Sequence, residues 1–308
     1  MADPCADTSA ALDEPVAGTA SLVRGWLLVE QPGAWGPDAL FESRFPRRLA
    51  RALVPAARAH GARIVLLRRT DRHLEEGRHA FACHSGRARP WTEHRVLDHP
   101  RDLAGVDLAA FTRPEPAGFG RPWPRPLYLV CTNGRHDPCC ARLGRPVARS
   151  LSAAGRPGQV WECSHIGGDR FAANLICLPH GLYFGRLGPE EAAAAVAAYE
   201  AGRIDLDHYR GRAGDPFAVQ AAEAFLRRET GEMGVEAVAL QGWHREGGTG
   251  EVHARFTVGG GPEEVEVRVA VDAGAPRLLT CTAGAQGRPP IYRLVDVIPR
   301  PPVPPELH

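Results

Sequence analysis

No stretch of the chain stays apolar for the roughly 18 residues that a membrane helix needs. The opening MADPCADTSAALDEP is acidic where a secretory signal would be basic and then apolar. The expected location is therefore the cytoplasm, with no membrane partner. Charge of one sign is also missing: 37 basic residues face 36 acidic ones, leaving a net +1. Nothing in that balance calls for nucleic acid or an acidic surface as a partner. Lysine is absent and every basic residue is arginine; with the abundance of Ala, Gly and Pro this is a coding bias that carries no chemistry.

A dense cysteine framework is missing as well. Eight cysteines in 308 residues, Cys5, Cys83, Cys131, Cys139, Cys140, Cys163, Cys177 and Cys281, are too few and too unevenly spread for a small secreted disulfide scaffold. In a reducing compartment, cysteines at loop ends act as ligands or catalysts more often than as bridges. Cys5, Cys177 and Cys281 read as a tail thiol and small strand hydrophobes.

What is present is a chain long enough for a large core, 44% hydrophobic and 24% charged. Residues 1–18 read as a disordered tail. In residues 19–112, SLVRGWLLVE predicts a strand, FPRRLARALVPAARAH a helix that Pro55 should kink or shorten, and ARIVLL a second strand. Two more strands follow near His79 and His94. Residues 113–126 are a Pro-rich connector. Residues 127–230 repeat the order: LYLVC, a helix over 141–154, QVWEC, a strand over 172–178, LYFGRL, and PEEAAAAVAAYE, whose early acidic residues and alanines predict a helix. A parallel crossover followed by a hairpin is the order of a thioredoxin-like unit. WLLVEQPGAWG in the first half matches LYLVCTNGRHD in the second, with Glu30 or Gln31 near where the second copy has Cys131. The expected fold is thus α+β, two thioredoxin-like units as a tandem pseudo-repeat, plus a small β-rich region over 231–308. A helix at 215–229, capped by Asp215, precedes that region. EVHARFTV, EEVEVRVAV and RLLTCTA predict its meander, and the RPPVPPELH end reads as a loose tail.

The chemistry concentrates between Leu127 and Leu187. Cys131 ends one apolar strand, Cys139 and Cys140 close a polar loop at a helix start, and Cys163 and His165 end the next strand. In a β–α–β unit those three places lie close together, so their side chains can converge on a metal or redox site. A two-iron cluster needs four ligands, and Cys thiolates with an occasional His are its usual set. Cys131, Cys140, Cys163 and His165 are the preferred set, with Cys139 as the runner-up at the helix start. Asp169 is a poor match for soft iron and reads as the acceptor that fixes the His ring, though it could complete the set if Cys163 faces the core. Arg170 and Arg135 could donate to the same region. His136 and Asp137 in GRHDP look like a catalytic dyad beside a Cys nucleophile, but adjacent residues seldom face each other, and Asp137 before Pro138 reads as loop-shaping. Two other readings stay open: a zinc-stabilised binding module using the same ligands, and a thiol–disulfide or peroxidase-type enzyme using Cys131 or Cys140. The second lacks the C-x-x-C that a thioredoxin-like redox motif would want.

The segments CTNGRHDPCCARLGRPVA and VWECSHIGGDRFAANLICLPHGLYFGRL resemble the sucrase/ferredoxin-like family. The resemblance implies a thioredoxin-like ferredoxin domain holding a [2Fe–2S] cluster through Cys and His ligands. It further implies one-electron exchange with an unidentified redox partner protein, and a carrier in preference to an enzyme with catalytic residues of its own. In eukaryotic members the second ligand segment resembles H-x-G-G-H and both His bind iron. Here Asp169 replaces the second His, which makes Cys163 the better candidate for the remaining place. No paired-carboxylate signature accompanies these segments, so the family name brings no glycoside hydrolysis with it.

Overall fold

The structure, a computed structural model, describes residues 3–70, 77–261 and 263–300. Its elements in chain order are α1 (Cys5–Ala11), β1 (Gly25–Glu30), α2 (Ala39–Glu42), α3 (Arg47–Ala59), β2 (Ala62–Arg68), β3 (Arg78–His84), β4 (Trp91–Leu97), β5 (Arg121–Pro122), β6 (Leu127–Cys131), α4 (Pro138–Ala153), β7 (Val160–Cys163), β8 (Leu175–Leu178), β9 (Leu182–Phe184), α5 (Pro189–Glu200), β10 (Tyr209–Arg212) and α6 (Phe217–Thr230). A C-terminal part adds β11 (Val238–Arg245), β12 (Val252–Val258), β13 (Glu264–Ala273) and β14 (Pro290–Arg300). Among the described residues no helix is long and apolar enough to cross a membrane.

The molecule is α+β, built on one ten-stranded mixed sheet ordered β10-β9-β8-β6-β7-β2-β1-β3-β4-β5 and a separate four-stranded sheet ordered β11-β12-β13-β14. The central strands GWLLVE and LYLVC are buried along their whole length, which accounts for their unbroken apolar text. Within the large sheet the chain uses one strand order twice. β1 and β2 are parallel around α3, with β3 antiparallel to β1 and β4 antiparallel to β3. β6 and β7 are parallel around α4, with β8 antiparallel to β6 and β9 antiparallel to β8. The two sets meet edge to edge where β2 pairs antiparallel with β7, Leu67 opposite Cys163. The two halves therefore share a single sheet.

Alternation along the strands sorts the core by face. Trp26, Leu28, Val65, Leu67, Leu129, Cys131, Trp161 and Cys163 belong to one continuous cluster that crosses the seam. The opposite face holds two separate clusters, one under α3 and one under α4 and α5. Helix α6 packs on the C-terminal sheet, with Val219, Ala222 and Leu226 against Ala254, Phe256 and Val267. The same helix also meets the core on the large sheet, where Gln220 exchanges hydrogen bonds with Ala20.

Several expectations are corrected. Of the expected disordered tail at 1–18, the described residues 3–18 are ordered: Cys5, Ala6 and Ser9 of α1 are buried, and Glu14 pairs with Arg170. The connector at 113–126 contributes β5 to the sheet and packs Phe119 and Trp123 on the two cores. Pro55 sits inside α3 without ending it. Asp215 does not cap α6; its carboxylate pairs with Arg87 at 2.7 Å. RLLTCTA forms no strand but a loop with a single bridge, Arg277 to Gly287, and β14 takes the fourth place in the meander. The tail expected at the C-terminus lies outside the described residues beyond Arg300.

Candidate metal centre

Cys131 is the last residue of β6 and stands in register with Cys163 at the end of β7. The loop between Cys131 and α4 is short and held from within. The N–H groups of His136 and Asp137 both donate to the carbonyl of Asn133, and the Asp137 carboxylate accepts from the N–H of Cys139 at 2.8 Å. Asp137 is the N-cap of α4 and Pro138 its first residue, which fixes where the helix begins. Gly144 then lets the helix lie against the tip of β6, because a side chain there would press within 2.1 Å of the Cys131 carbonyl oxygen. Successive helical residues diverge by about 100°. Cys140 consequently joins the core cluster of Cys131 and Cys163, whereas Cys139 turns the other way, toward Cys5 and Cys281.

The turn after β7 brings the rest. Ile166–Asp169 reverses the chain through Gly167 and Gly168, whose φ angles of 95° and 78° lie in the left-handed region. A side chain on Gly168 would also strike the buried guanidinium of Arg210. Arg210 clamps this turn by donating to the Gly167 carbonyl and to Asn174 Oδ1, and Asn174 Nδ2 donates back to the Gly168 carbonyl. The first half holds the same turn through Ser21 and Arg63, both donating to the Ile166 carbonyl.

The side chains brought together are Cys131, Cys140, Cys163, His165, Asp169 and one that the sequence reading did not include, His136. Cys131 receives hydrogen bonds from the thiols of Cys140 and Cys163, and Cys140 Sγ also donates to Asp169 Oδ1 at 3.2 Å. Those bonds push the Cys131 thiol well down against burial, while Cys140 and Cys163 are pushed up, Cys140 by its bond to Cys131 and Cys163 by burial. His165 Nδ1 lies 2.9 Å from Asp169 Oδ1, and His136 Nε2 lies 3.6 Å from Asp169 Oδ2. The two imidazole rings are 3.7 Å apart between centroids. Burial would raise the Asp169 carboxyl, but the His136 and His165 imidazoles beside it hold it well below the usual carboxylate range. The neighbouring Asp169 in turn holds His136 up at about 9.

The centre has two sides. The cysteines are about 1% exposed or less, whereas the side chains of His165 and His136 are 33% and 30% exposed. The imidazoles open on a cleft of about 570 Å³ bounded by Pro37, Leu40, Arg58 and Ile64 of the first half and by Asn133 and Ser164 of the second. His136 Nδ1 lies 3.1 Å from the Pro37 carbonyl. Because a carbonyl only accepts, Nδ1 carries the proton there, and Nε2 is the atom turned to the centre.

Of the remaining sequence candidates, Arg170 faces away, pairing with Glu14 at 2.9 Å and lying over Phe171. Arg135 is exposed. Cys83 and Cys177 are buried in the cores, and burial raises both thiols. Among the eight cysteines none is in a disulfide. The signal for His136 was its place between Cys131 and Cys140 in a loop of only a few residues. Setting the dyad aside for a loop-shaping Asp137 passed over the fact that the same tight turn that Asp137 shapes must also aim its neighbour.

A family model described as sucrase/ferredoxin-like matches residues 16–211, more than half of the chain. Among curated proteins, "Altered inheritance of mitochondria protein 32" of Debaryomyces hansenii is 32% identical over 95 residues, a match taking in 28% of this chain and 35% of that protein. The match thus spans about a third of that relative's length. No solved structure matches.

Proposed function

The chain belongs to the sucrase/ferredoxin-like family, and on that premise we propose that it holds a [2Fe–2S] cluster and exchanges single electrons with a protein partner. The observation that carries the reading is the convergence of two close pairs of soft donors, the Cys131 and Cys140 thiols and the His136 and His165 imidazoles, around the one carboxylate of Asp169. This donor set fits the group: thiolates with imidazole are an established iron–sulfur ligand combination. When bound, such a cluster supplies a reversible one-electron couple.

The residues then divide the work. Cys131 and Cys140 would ligate from the buried side, and the lowering of the Cys131 thiol by its neighbours Cys140 and Cys163 supports that reading. His165 and His136 would ligate from the exposed side through Nε2, His165 with its Nδ1 proton given to Asp169, and His136 with its Nδ1 proton given to the Pro37 carbonyl and its Nε2 proton, which faces Asp169, lost on binding. Asp169 would orient His165, since carboxylate oxygen is a poor partner for soft iron. Cys163, fully buried and bonded to Cys131, would act as a hydrogen-bond donor to that sulfur; the sequence-preferred set gave it the fourth ligand place. Two imidazoles in place of two thiolates raise the potential from about −400 mV toward roughly −150 to +300 mV. The partner would approach the cleft side, where the imidazole edges are exposed.

The two units' shared strand order is the one expected of thioredoxin-like repeats, and that assignment is part of this reading, as is a reducing, cytoplasmic setting suited to eight unpaired thiols. Thiol–disulfide or peroxidase chemistry at Cys131 or Cys140 would need an accessible sulfur, and each is 1% exposed. The test is anaerobic purification of the full chain. A red-brown protein with iron and acid-labile sulfide in equal amounts supports the reading; a colourless protein with neither refutes it.

A further inference from the structure

The cysteine that turns away from the centre, Cys139, enters a second group with parts of the chain far from it in sequence. Cys5 Sγ lies 3.9 Å from Cys139 Sγ, Cys139 Sγ lies 3.5 Å from Cys281 Sγ, and Cys5 Sγ lies 3.4 Å from Asp137 Oδ2. One ligand atom from each of the four residues lies within 4.8 Å of all the others. We propose that Cys5, Cys139, Cys281 and Asp137 hold a structural zinc ion, distinct from the iron–sulfur centre, that fastens α1 and the loop over 277–283 to the entrance of α4.

The distances suit that ion. Zinc bonds of about 2.3 Å to sulfur and about 2.0 Å to carboxylate oxygen, set at tetrahedral angles, place two sulfurs about 3.8 Å apart and a sulfur and an oxygen about 3.5 Å apart. Three of the six edges, at 3.9, 3.5 and 3.4 Å, lie close to those lengths, and the other three are within 4.8 Å. Three thiolates and a carboxylate close the four-coordinate shell, as structural zinc requires, and Cys5, Cys139 and Asp137 are at most 2% exposed, leaving no open position.

Hydrogen-bond donors face the sulfurs. The N–H of Cys5 donates to Cys281 Sγ at 3.2 Å, and the N–H of Ala6 and the guanidinium of Arg142 donate to Cys139. Asp137 is oriented by three donors, the N–H groups of Cys139 and Cys281 and the hydroxyl of Thr280. The elements joined also need joining. α1 has seven residues, too few for a stable helix alone, and the Cys281 loop lies outside any strand, with one β-bridge and the hydrogen bonds of Thr280 and Cys281 to Asp137 holding it.

The test is zinc and iron analysis of the same anaerobic full-length sample. About one zinc per chain is expected beside the iron, with three sulfurs and one oxygen around it by X-ray absorption. Cys281→Ser, on the least buried of the three, should lower zinc at least about tenfold while iron, sulfide and visible colour stay unchanged. Should that variant fail to fold, cobalt exchanged into the wild-type site answers instead, with tetrahedral d–d bands and sulfur-to-cobalt charge transfer expected. Wild-type protein grown with added zinc that carries iron but no zinc, or a Cys139 to Cys281 disulfide found by mass spectrometry, would overturn the proposal. Zinc present without iron would leave it standing and count against the electron-transfer reading alone.

Discussion

The two halves of the large sheet use the same strand order, yet corresponding places in them do different chemistry. In the first half the tip of β1 is Glu30, in register with Leu67; in the second the tip of β6 is Cys131, in register with Cys163. Glu30 is a satisfied ion-pair member, accepting from Arg69 and from the His79 N–H at 3.0 Å each. Cys131 instead lies with Cys140 and Cys163 in one buried cluster, near the paired imidazoles of His136 and His165. The strand tip is therefore a place where the scaffold can present a side chain, and the local residue decides between an ion-pair contact and a place in a thiol cluster, the one proposed above to hold iron. The halves nonetheless cooperate, because Pro37, Ser21 and Arg63 of the first hold the loops that carry His136 and His165 in the second.

That contrast can be broken most severely at the thiols. Cys131→Ser or Cys140→Ser should abolish iron and sulfide retention, whereas Glu30→Gln at the matching place should leave both intact and only destabilise the fold, by about 1–3 kcal/mol in a denaturant titration. Equal iron loss in both halves would erase the distinction. Next in size, Asp169→Asn should weaken iron retention by about 10–100-fold through loss of the contact that orients His165. The roles of His136 and Cys163 are separated by redox titration. His136→Cys should lower the midpoint potential by on the order of 100 mV or more, toward all-thiolate values. Cys163→Ser should keep the iron and move the potential much less; an iron-free Cys163→Ser protein would restore Cys163 to the ligand set.

The smallest expected effect concerns an ion cluster remote from the centre. Burial would raise the carboxyl of Glu223 in α6, but Arg87, Arg227 and Arg212 together pull it down from its ordinary 4.5 to about 2. A group lowered in the folded state adds stability above its unfolded value and loses it as pH falls. Stability should thus decline between pH 4.5 and about 2, and Glu223→Gln should flatten that part of the profile. Asp215 in the same cluster is shifted up by burial, which works with the opposite sign and blunts the slope.

Much of this was legible in the sequence where one local pattern sufficed. PEEAAAAVAAYE forms the helix Pro189–Glu200, and LYLVC and VWEC end on the cysteines that meet. The choice between Cys139 and Cys140 was not legible, because it depends on the rotation of α4 about its axis, which Asp137, Pro138 and the close approach at Gly144 set together. Cys5 and Cys281 looked bland because their partner lies 134 and 142 residues away. No periodicity reports a contact made only when three separate segments have packed. RLLTCTA misled for a related reason: its alternation is that of a strand, but Thr280 and Cys281 are held by Asp137 instead of by a neighbouring strand.

The central claim is that Cys131, Cys140, His165 and His136 hold two irons, and quantifying iron and acid-labile sulfide in anaerobically purified full-length protein tests it most directly. The account predicts about two irons and two sulfides per chain, lost together in Cys140→Ser and kept in Cys139→Ser. Iron and sulfide that vanish in Cys139→Ser and persist in Cys140→Ser would contradict it.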